Sequence, residues 1–103
     1  MNQIERITEM DRCLHASGEA IEALSNALDA YEANRKSLKK LADYYGSTLW
    51  MKDFEADEAG MLPTDLKRGV LSEDTVYDLL TDHHELILRM SRIVTKAIEG
   101  KLL

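Results

Sequence analysis

The chain has 103 residues, 45% of them hydrophobic and 31% charged, and a formal net charge of −6 at pH 7. This composition is typical of one folded domain of ordinary size and excludes a disordered chain. Acidic and basic residues are interspersed and no basic face results, so we expect no binding of nucleic acid or of an anionic membrane.

Cysteine content and the N-terminal segment indicate a cellular compartment. Cys13 is the only cysteine, so no intramolecular disulfide can form, as is usual in a reducing environment. Residues 1–12 mix charged and apolar side chains and do not resemble a secretory signal. No apolar run approaches the roughly 18 residues that a transmembrane helix needs. We therefore expect a cytoplasmic protein without a membrane partner.

The first predicted element is one helix over residues 2 to 45. Large apolar residues recur in it at seven-residue spacing on two neighbouring tracks: Ile7, Leu14, Ile21 and Leu28, then Met10, Leu24, Tyr31, Leu38 and Tyr45. Such a stripe is expected of a helix that packs along another helix. Ser17 and Arg35 interrupt the stripe, and Gly18 weakens the helix by about 1 kcal/mol relative to alanine.

A short second helix is predicted over residues 48 to 59. Gly46 can adopt the left-handed conformation that closes the first helix, and Ser47 can cap the second. Gly60 ends this helix in the same way as Gly46 ends the first. The side chains expected on its buried face are Leu49, Trp50 and Phe54.

A turn over residues 60 to 71 leads to a last helix that extends from about 72 to 100. Pro63 is expected to begin a single helical turn that Gly69 ends. Ser72 is the predicted cap of the last helix, and two acidic residues follow it at the positive end of the helix dipole. The apolar stripe of this helix consists of Val76, Leu80, His83, Ile87, Met90, Val94 and Ala97.

Together these elements predict an all-α fold in a single domain, residues 1–103. We expect a long antiparallel helical hairpin with a short intervening helix and a Gly/Pro-rich corner, similar to a three-helix bundle. At 1.5 Å per residue the first helix extends about 65 Å and the last about 42 Å. The last helix would leave some of the apolar stripe uncovered, which predicts a homodimer. A bend near Gly18 or Asn34 that keeps the monomer compact is the alternative.

The corner between the long helices carries more polar side chains than a change of chain direction requires. If the protein binds a ligand or a partner, we expect the surface to consist of Trp50, Asp53, Asp57, Glu58, Lys67, Arg68 and Tyr77. The alternative interpretation is a solvated helix face whose acidic charges meet Lys67 and Arg68 across the turn.

Three of these carboxylates, Asp53, Asp57 and Glu58, are a weak alternative as ligands of a divalent cation, because Mg²⁺ and Ca²⁺ prefer oxygen ligands. The spacing does not fit a calcium-binding EF-hand loop. Counting from Asp53, the sixth residue is Glu58 where glycine is needed, and the twelfth is Thr64 where glutamate is needed. We therefore expect no metal and no cofactor.

No catalytic group of residues is recognisable in the sequence. His83, beside Asp82, is the best candidate for a general base, but its position in the apolar stripe predicts a buried, hydrogen-bonded histidine. His84 is expected to face outward. A zinc site would need more cysteine or histidine at suitable spacing than the chain provides.

Four short motifs carry a resemblance to a known family. They are Tyr-Tyr-Gly-Ser at 44–47, Asp-Glu-Ala-Gly at 57–60, Leu-Pro at 62–63 and Lys-Arg-Gly-Val-Leu-Ser-Glu-Asp at 67–74. In these motifs the chain resembles a bacterial family known as domain of unknown function 4298. The resemblance implies a bacterial cytoplasmic protein with a long N-terminal helix, and it implies no activity, cofactor or partner.

The sequence favours a non-catalytic interaction or regulatory module that acts as a homodimer and binds itself or another protein. The alternative is a magnesium-dependent enzyme like the all-α phosphohydrolases, with the corner carboxylates and those of Asp78 and Asp82 as ligands. The paired Glu-x-x-Glu and Glu-x-x-Asp signature of such enzymes is half present, as Glu55 and Glu58.

Overall fold

The computed structural model describes residues 2–103. These residues form helices and connecting segments, and none of them lies in a strand. The elements are α1 (Gln3–Tyr44), α2 (Thr48–Glu58), a 3-10 helix (Gly69–Leu71) and α3 (Glu73–Glu99). The predicted all-α class, with a short helix between two long ones, is confirmed.

The chain divides into an N-terminal unit, Met1–Lys40, and a C-terminal unit, Leu41–Leu103. The expected single domain and the antiparallel arrangement of the long helices stay predictions. Among the described residues, no helix is long and apolar enough to cross a lipid bilayer.

The N-terminal unit contains residues 3–40 of α1, and this helix begins with a reciprocal cap. The Asn2 side-chain oxygen accepts a hydrogen bond from the Glu5 backbone N–H at 2.8 Å, and the Glu5 carboxylate accepts one from the Asn2 N–H at 3.3 Å. This arrangement satisfies two donors that a helix start leaves free. From there α1 continues without interruption through Gly18 and Asn34, where a bend was the alternative.

The apolar stripe of α1 is exposed up to residue 28, and its later members Tyr31 and Leu38 are half-buried. All 42 residues of this helix are described, and none of them is buried. Its large apolar side chains up to residue 28 are between 41% and 76% exposed; they are Ile4, Ile7, Met10, Leu14, Ile21, Leu24 and Leu28. The part of the stripe up to residue 28 therefore has its apolar surface facing water.

In the C-terminal unit, the ends of α2 have the predicted chemistry. Gly46 has φ +78°, and the Ser47 hydroxyl accepts a hydrogen bond from the Trp50 N–H at 3.2 Å. At the other end Gly60 has φ +69°, and its N–H donates to the Asp57 carbonyl. The next N–H donates to the carbonyl of residue 56, which completes the pair of bonds that closes many helices.

The loop after α2 differs from the prediction at Gly69. A single turn closes where the Leu66 N–H donates to the Pro63 carbonyl at 3.2 Å, but Gly69 does not end it. Instead Gly69 begins the 3-10 helix, because its carbonyl accepts from the Ser72 N–H at 3.1 Å. The predicted role of Gly69 is therefore wrong, since its carbonyl serves the following element.

A small core lies between α2, the 3-10 helix and the start of α3. In the described part of the chain the buried side chains are Trp50, Leu71 and Val76, at 3%, 6% and 3% exposure. The Trp50 indole N–H donates to the Val70 carbonyl at 3.0 Å, which satisfies its one polar atom.

Aromatic rings enclose the indole of Trp50. The Tyr45 ring meets it edge-on at a centroid distance of 5.4 Å, and the Phe54 ring stacks on it at 5.3 Å. Leu49, which was predicted to be buried with them, is 65% exposed, so that prediction is wrong. Trp50 and Phe54 are four residues apart and share a helix face, whereas Leu49 lies about 100° away from Trp50.

Helix α3 begins at the predicted cap. The Ser72 hydroxyl accepts from the Thr75 N–H at 3.4 Å, and Glu73 and Asp74 occupy the first turn. The stripe of α3 is only partly covered. Val76 is buried, the members that are half-buried are Leu80, His83, Met90 and Ala97, and the members that are exposed are Ile87 and Val94.

Candidate functional site

A cleft of about 200 Å³ lies in the C-terminal unit beside the loop that follows α2. We call it the corner cleft; its lining residues are Tyr44, Asp53, Leu62, Leu66, Lys67, Arg68, Val70 and Leu71. The last residue of α1 supplies one wall, α2 another, and the loop the rest. Of the predicted surface residues, the structure brings Asp53, Lys67 and Arg68 together here.

One polar contact of the corner cleft joins α1 to α2. The Tyr44 hydroxyl donates a hydrogen bond to the Asp53 carboxylate at 2.5 Å. That hydrogen bond, then burial, then the negative charge of Asp53 raise the pKa of Tyr44 to about 12. Tyr44 therefore stays protonated at neutral pH and acts as a hydrogen-bond donor, not as a base.

Arg68 ties the loop to α2. One guanidinium nitrogen contacts the Asp57 carboxylate at 2.5 Å, and a second donates to the Pro63 carbonyl. The Arg68 Nε–H donates to the Leu66 carbonyl at 3.3 Å. The predicted alternative, in which an acidic side chain of α2 meets Arg68 across the turn, is thus confirmed for Asp57. Most of the hydrogen-bonding capacity of Arg68 is used within the chain.

A second, open depression of about 530 Å³ also borders Arg68. Its lining residues are Phe54, Asp57, Glu58, Arg68, Leu71, Ser72, Glu73 and Asp74. Four carboxylates face one guanidinium there, and that guanidinium is already paired with Asp57. The depression therefore favours cationic over anionic groups.

The remaining predicted surface residues lie elsewhere. Trp50 is part of the core beneath the corner and cannot present its ring to a partner. Tyr77 is 61% exposed and lines neither the corner cleft nor the second depression beside Arg68. The seven residues predicted as one surface are thus divided among the core, two depressions and an exposed position on α3.

The carboxylates of the magnesium alternative are not gathered around one point. Across residues 2–103, no group of three or more His, Cys, Asp or Glu side chains is placed to hold an ion. Asp53 accepts from Tyr44, Asp57 is paired with Arg68, and Glu58 is exposed. The histidines on α3 offer no second cluster: His83 is half-buried and His84 is exposed.

Sequence reasoning missed Tyr44 as a member of the site. It also missed the Val70 carbonyl, which fixes the indole of Trp50. The local signals for Tyr44 were its place at the end of a predicted helix and in the Tyr-Tyr-Gly-Ser motif, two residues before Gly46. Its partner Asp53 is nine residues away and becomes adjacent only because Gly46 turns the chain.

Comparison with known proteins gives one match. Residues 7–93 match the family described as "Domain of unknown function (DUF4298)". No curated protein and no solved structure matches the chain.

Proposed function

Because the chain belongs to the DUF4298 family, whose description assigns no activity, we propose a function on physical grounds. The protein is a non-catalytic, cytoplasmic interaction module. It acts by presenting the apolar stripe of α1 to a second copy of itself, and the homodimer presents its remaining surface to another protein.

The exposed stripe of α1 is the observation that carries this proposal. Seven large apolar side chains within residues 4–28 are each at least 41% exposed. Scattered apolar residues are normal on a protein surface, but a contiguous stripe along one helix is typical of an interaction site. Each such side chain gains roughly 1.5–3 kcal/mol on full burial, which favours association.

Helix formation supports the same conclusion. In proteins, most helical stability comes from packing of an apolar face and not from intrinsic helix propensity. None of the described residues of α1 is buried, so the chain itself supplies little of that packing. A second copy that covers the stripe would supply it.

The corner has a different role in this proposal. Ligand pockets usually enclose about 300–1,000 Å³, and the corner cleft holds about 200 Å³. Its main polar groups, on Tyr44, Asp53 and Arg68, bond to other groups of the same chain. We propose that the corner fixes the angle of α2 and the loop, and that it does not bind a substrate. The magnesium-dependent alternative needs carboxylates gathered around one ion, and within residues 2–103 no such group is placed to hold one.

Sedimentation velocity over a range of micromolar concentrations tests the proposal. The wild-type chain should sediment as a dimer that dissociates on dilution. Leu24→Lys places a charge in the stripe, at a side chain that is 60% exposed, and should give a monomer in which α2 and α3 are intact. Asn26→Lys adds the same charge outside the two stripe tracks and should leave the dimer unchanged. A monomeric wild-type chain, or equal behaviour of the two variants, would refute the proposal.

A further inference from the structure

We propose that the two α1 helices of the dimer run antiparallel, with their two-fold axis at residue 26. This inference rests on the proposed function and adds the orientation and register of the partner copy. It assigns each residue of the stripe a specific residue of the second copy.

The two interruptions of the stripe indicate this register. Ser17 and Arg35 occupy stripe positions, and both lie nine residues from Asn26, on opposite sides of it. In an antiparallel pair centred at residue 26, each Ser17 therefore faces the Arg35 of the other copy. The small serine leaves room for the long arginine stem, whose charged end can reach water. The two polar residues that interrupt the stripe, Ser17 and Arg35, then pair with each other, so neither faces a large apolar side chain.

The same register places large apolar side chains opposite one another. The layers between the two Ser17–Arg35 layers are Ile21 with Tyr31 and Leu24 with Leu28, and the next layer outward is Leu14 with Leu38. Such pairing of the two stripe tracks is the packing that antiparallel helices with a seven-residue repeat adopt. At the two-fold axis, Ser25 approaches the partner's Ser25 and Ala27 approaches the partner's Ala27, and the small size of these side chains permits close contact.

The charge distribution along α1 favours the antiparallel orientation independently. In this register residues 30–40, with one acidic and four basic side chains, lie opposite residues 12–22, with two acidic and one basic. An antiparallel pair brings the acidic segment of each copy beside the basic segment of the other. A parallel pair brings like charges together along both segments and places the two Arg35 residues in one layer, which is unfavourable.

Spin labels measure the orientation directly. Cys13 is exposed and is the only cysteine, so a label can be attached to the natural chain. In the proposed dimer the two Cys13 positions are 26 residues apart along the axis, or about 39 Å at 1.5 Å per residue. In the C13S/S25C variant the labels lie near the two-fold axis and should be separated by roughly one interhelical distance, about 10 Å.

The pair of distances separates the outcomes, and a short Cys13 distance with a long residue-25 distance would show a different register and overturn this one. A long Cys13 distance with a short residue-25 distance supports the antiparallel register. Two short distances show a parallel dimer, which overturns this inference but keeps the proposed self-association through α1. Two long distances in a dimer show that another surface pairs. The absence of any intermolecular distance, with a monomer in sedimentation, overturns the proposed function as well.

Discussion

At the scale of single residues, the Tyr44–Asp53 hydrogen bond links the end of α1 to α2. Its donor is a phenol and its acceptor a charged carboxylate, 2.5 Å apart. A hydrogen bond to a charged acceptor is stronger than one between neutral groups. Because the bond requires a protonated phenol, its contribution to stability depends on pH.

We expect that contribution to vanish at high pH. The pKa of Tyr44 in the folded chain is raised to about 12, above its ordinary value of about 10. A raised pKa stabilises the fold fully below pH 10, and the effect is lost as pH rises through 12. Ultraviolet titration should therefore show a late phenol that Tyr44→Phe removes and that Asp53→Asn shifts toward pH 10. An unchanged titration in Asp53→Asn would contradict this assignment.

Trp50 is the residue on which the C-terminal unit depends most. It is 3% exposed, contacts two aromatic rings and donates to the Val70 carbonyl. Trp50→Ala should reduce the free energy of unfolding by about 3–5 kcal/mol, since it removes a buried aromatic ring. The adjacent substitution Leu49→Ala is the matched control, and because Leu49 is 65% exposed it should have a much smaller effect in urea unfolding. Equal losses would contradict the observed core.

At the scale of elements, two glycines show how backbone conformation decides the effect of one substitution. Gly18 lies inside α1, and an added Cβ would meet no atom within 4 Å. A Cβ added at Gly60 would also meet no atom within 4 Å, but the φ angle of Gly60 is +69°. Gly18→Ala should therefore raise helix stability by about 1 kcal/mol. Gly60→Ala should lower the stability of the C-terminal unit by about 1–2 kcal/mol, since L-residues disfavour that conformation. Thermal unfolding of each variant, compared with the wild-type chain, tests the stabilisation expected for Gly18→Ala and the destabilisation expected for Gly60→Ala.

The sequence was informative where the governing chemistry is local. The caps at Ser47 and Ser72 and the left-handed closures at Gly46 and Gly60 depend on residues within three or four positions, and all were predicted correctly. Gly69 was not: unlike Gly46 and Gly60 it does not adopt a positive φ, and it begins the 3-10 helix. The contacts of Tyr44 with Asp53 and of Trp50 with Val70 depend on the path of the loop, which no local pattern encodes.

The candidate site, too, was predictable only where its contacts follow from proximity along the chain. Proximity along the chain correctly suggested that Asp57 and Arg68 meet. It could not show that Trp50 is covered by residues 70 and 71, because burial depends on which face the loop closes over. The apolar stripe of α1 was predicted from spacing alone, yet its exposure became visible only in the structure.

At the scale of the whole molecule, the proposed function makes α1 dependent on a second copy of the chain. Association stabilises the state that binds and makes its stability dependent on concentration. The C-terminal unit has its own small core, so its stability should change less with concentration. The two units are therefore expected to respond differently to dilution.

Native-state hydrogen exchange at several protein concentrations tests this claim most directly. We predict that the amides of residues 10–30 lose protection on dilution below the dissociation constant of the dimer, and in Leu24→Lys at every concentration. Amides of α2 and of the first turns of α3 should keep theirs. Protection of residues 10–30 that is the same at all concentrations, and the same in Leu24→Lys, would contradict the account.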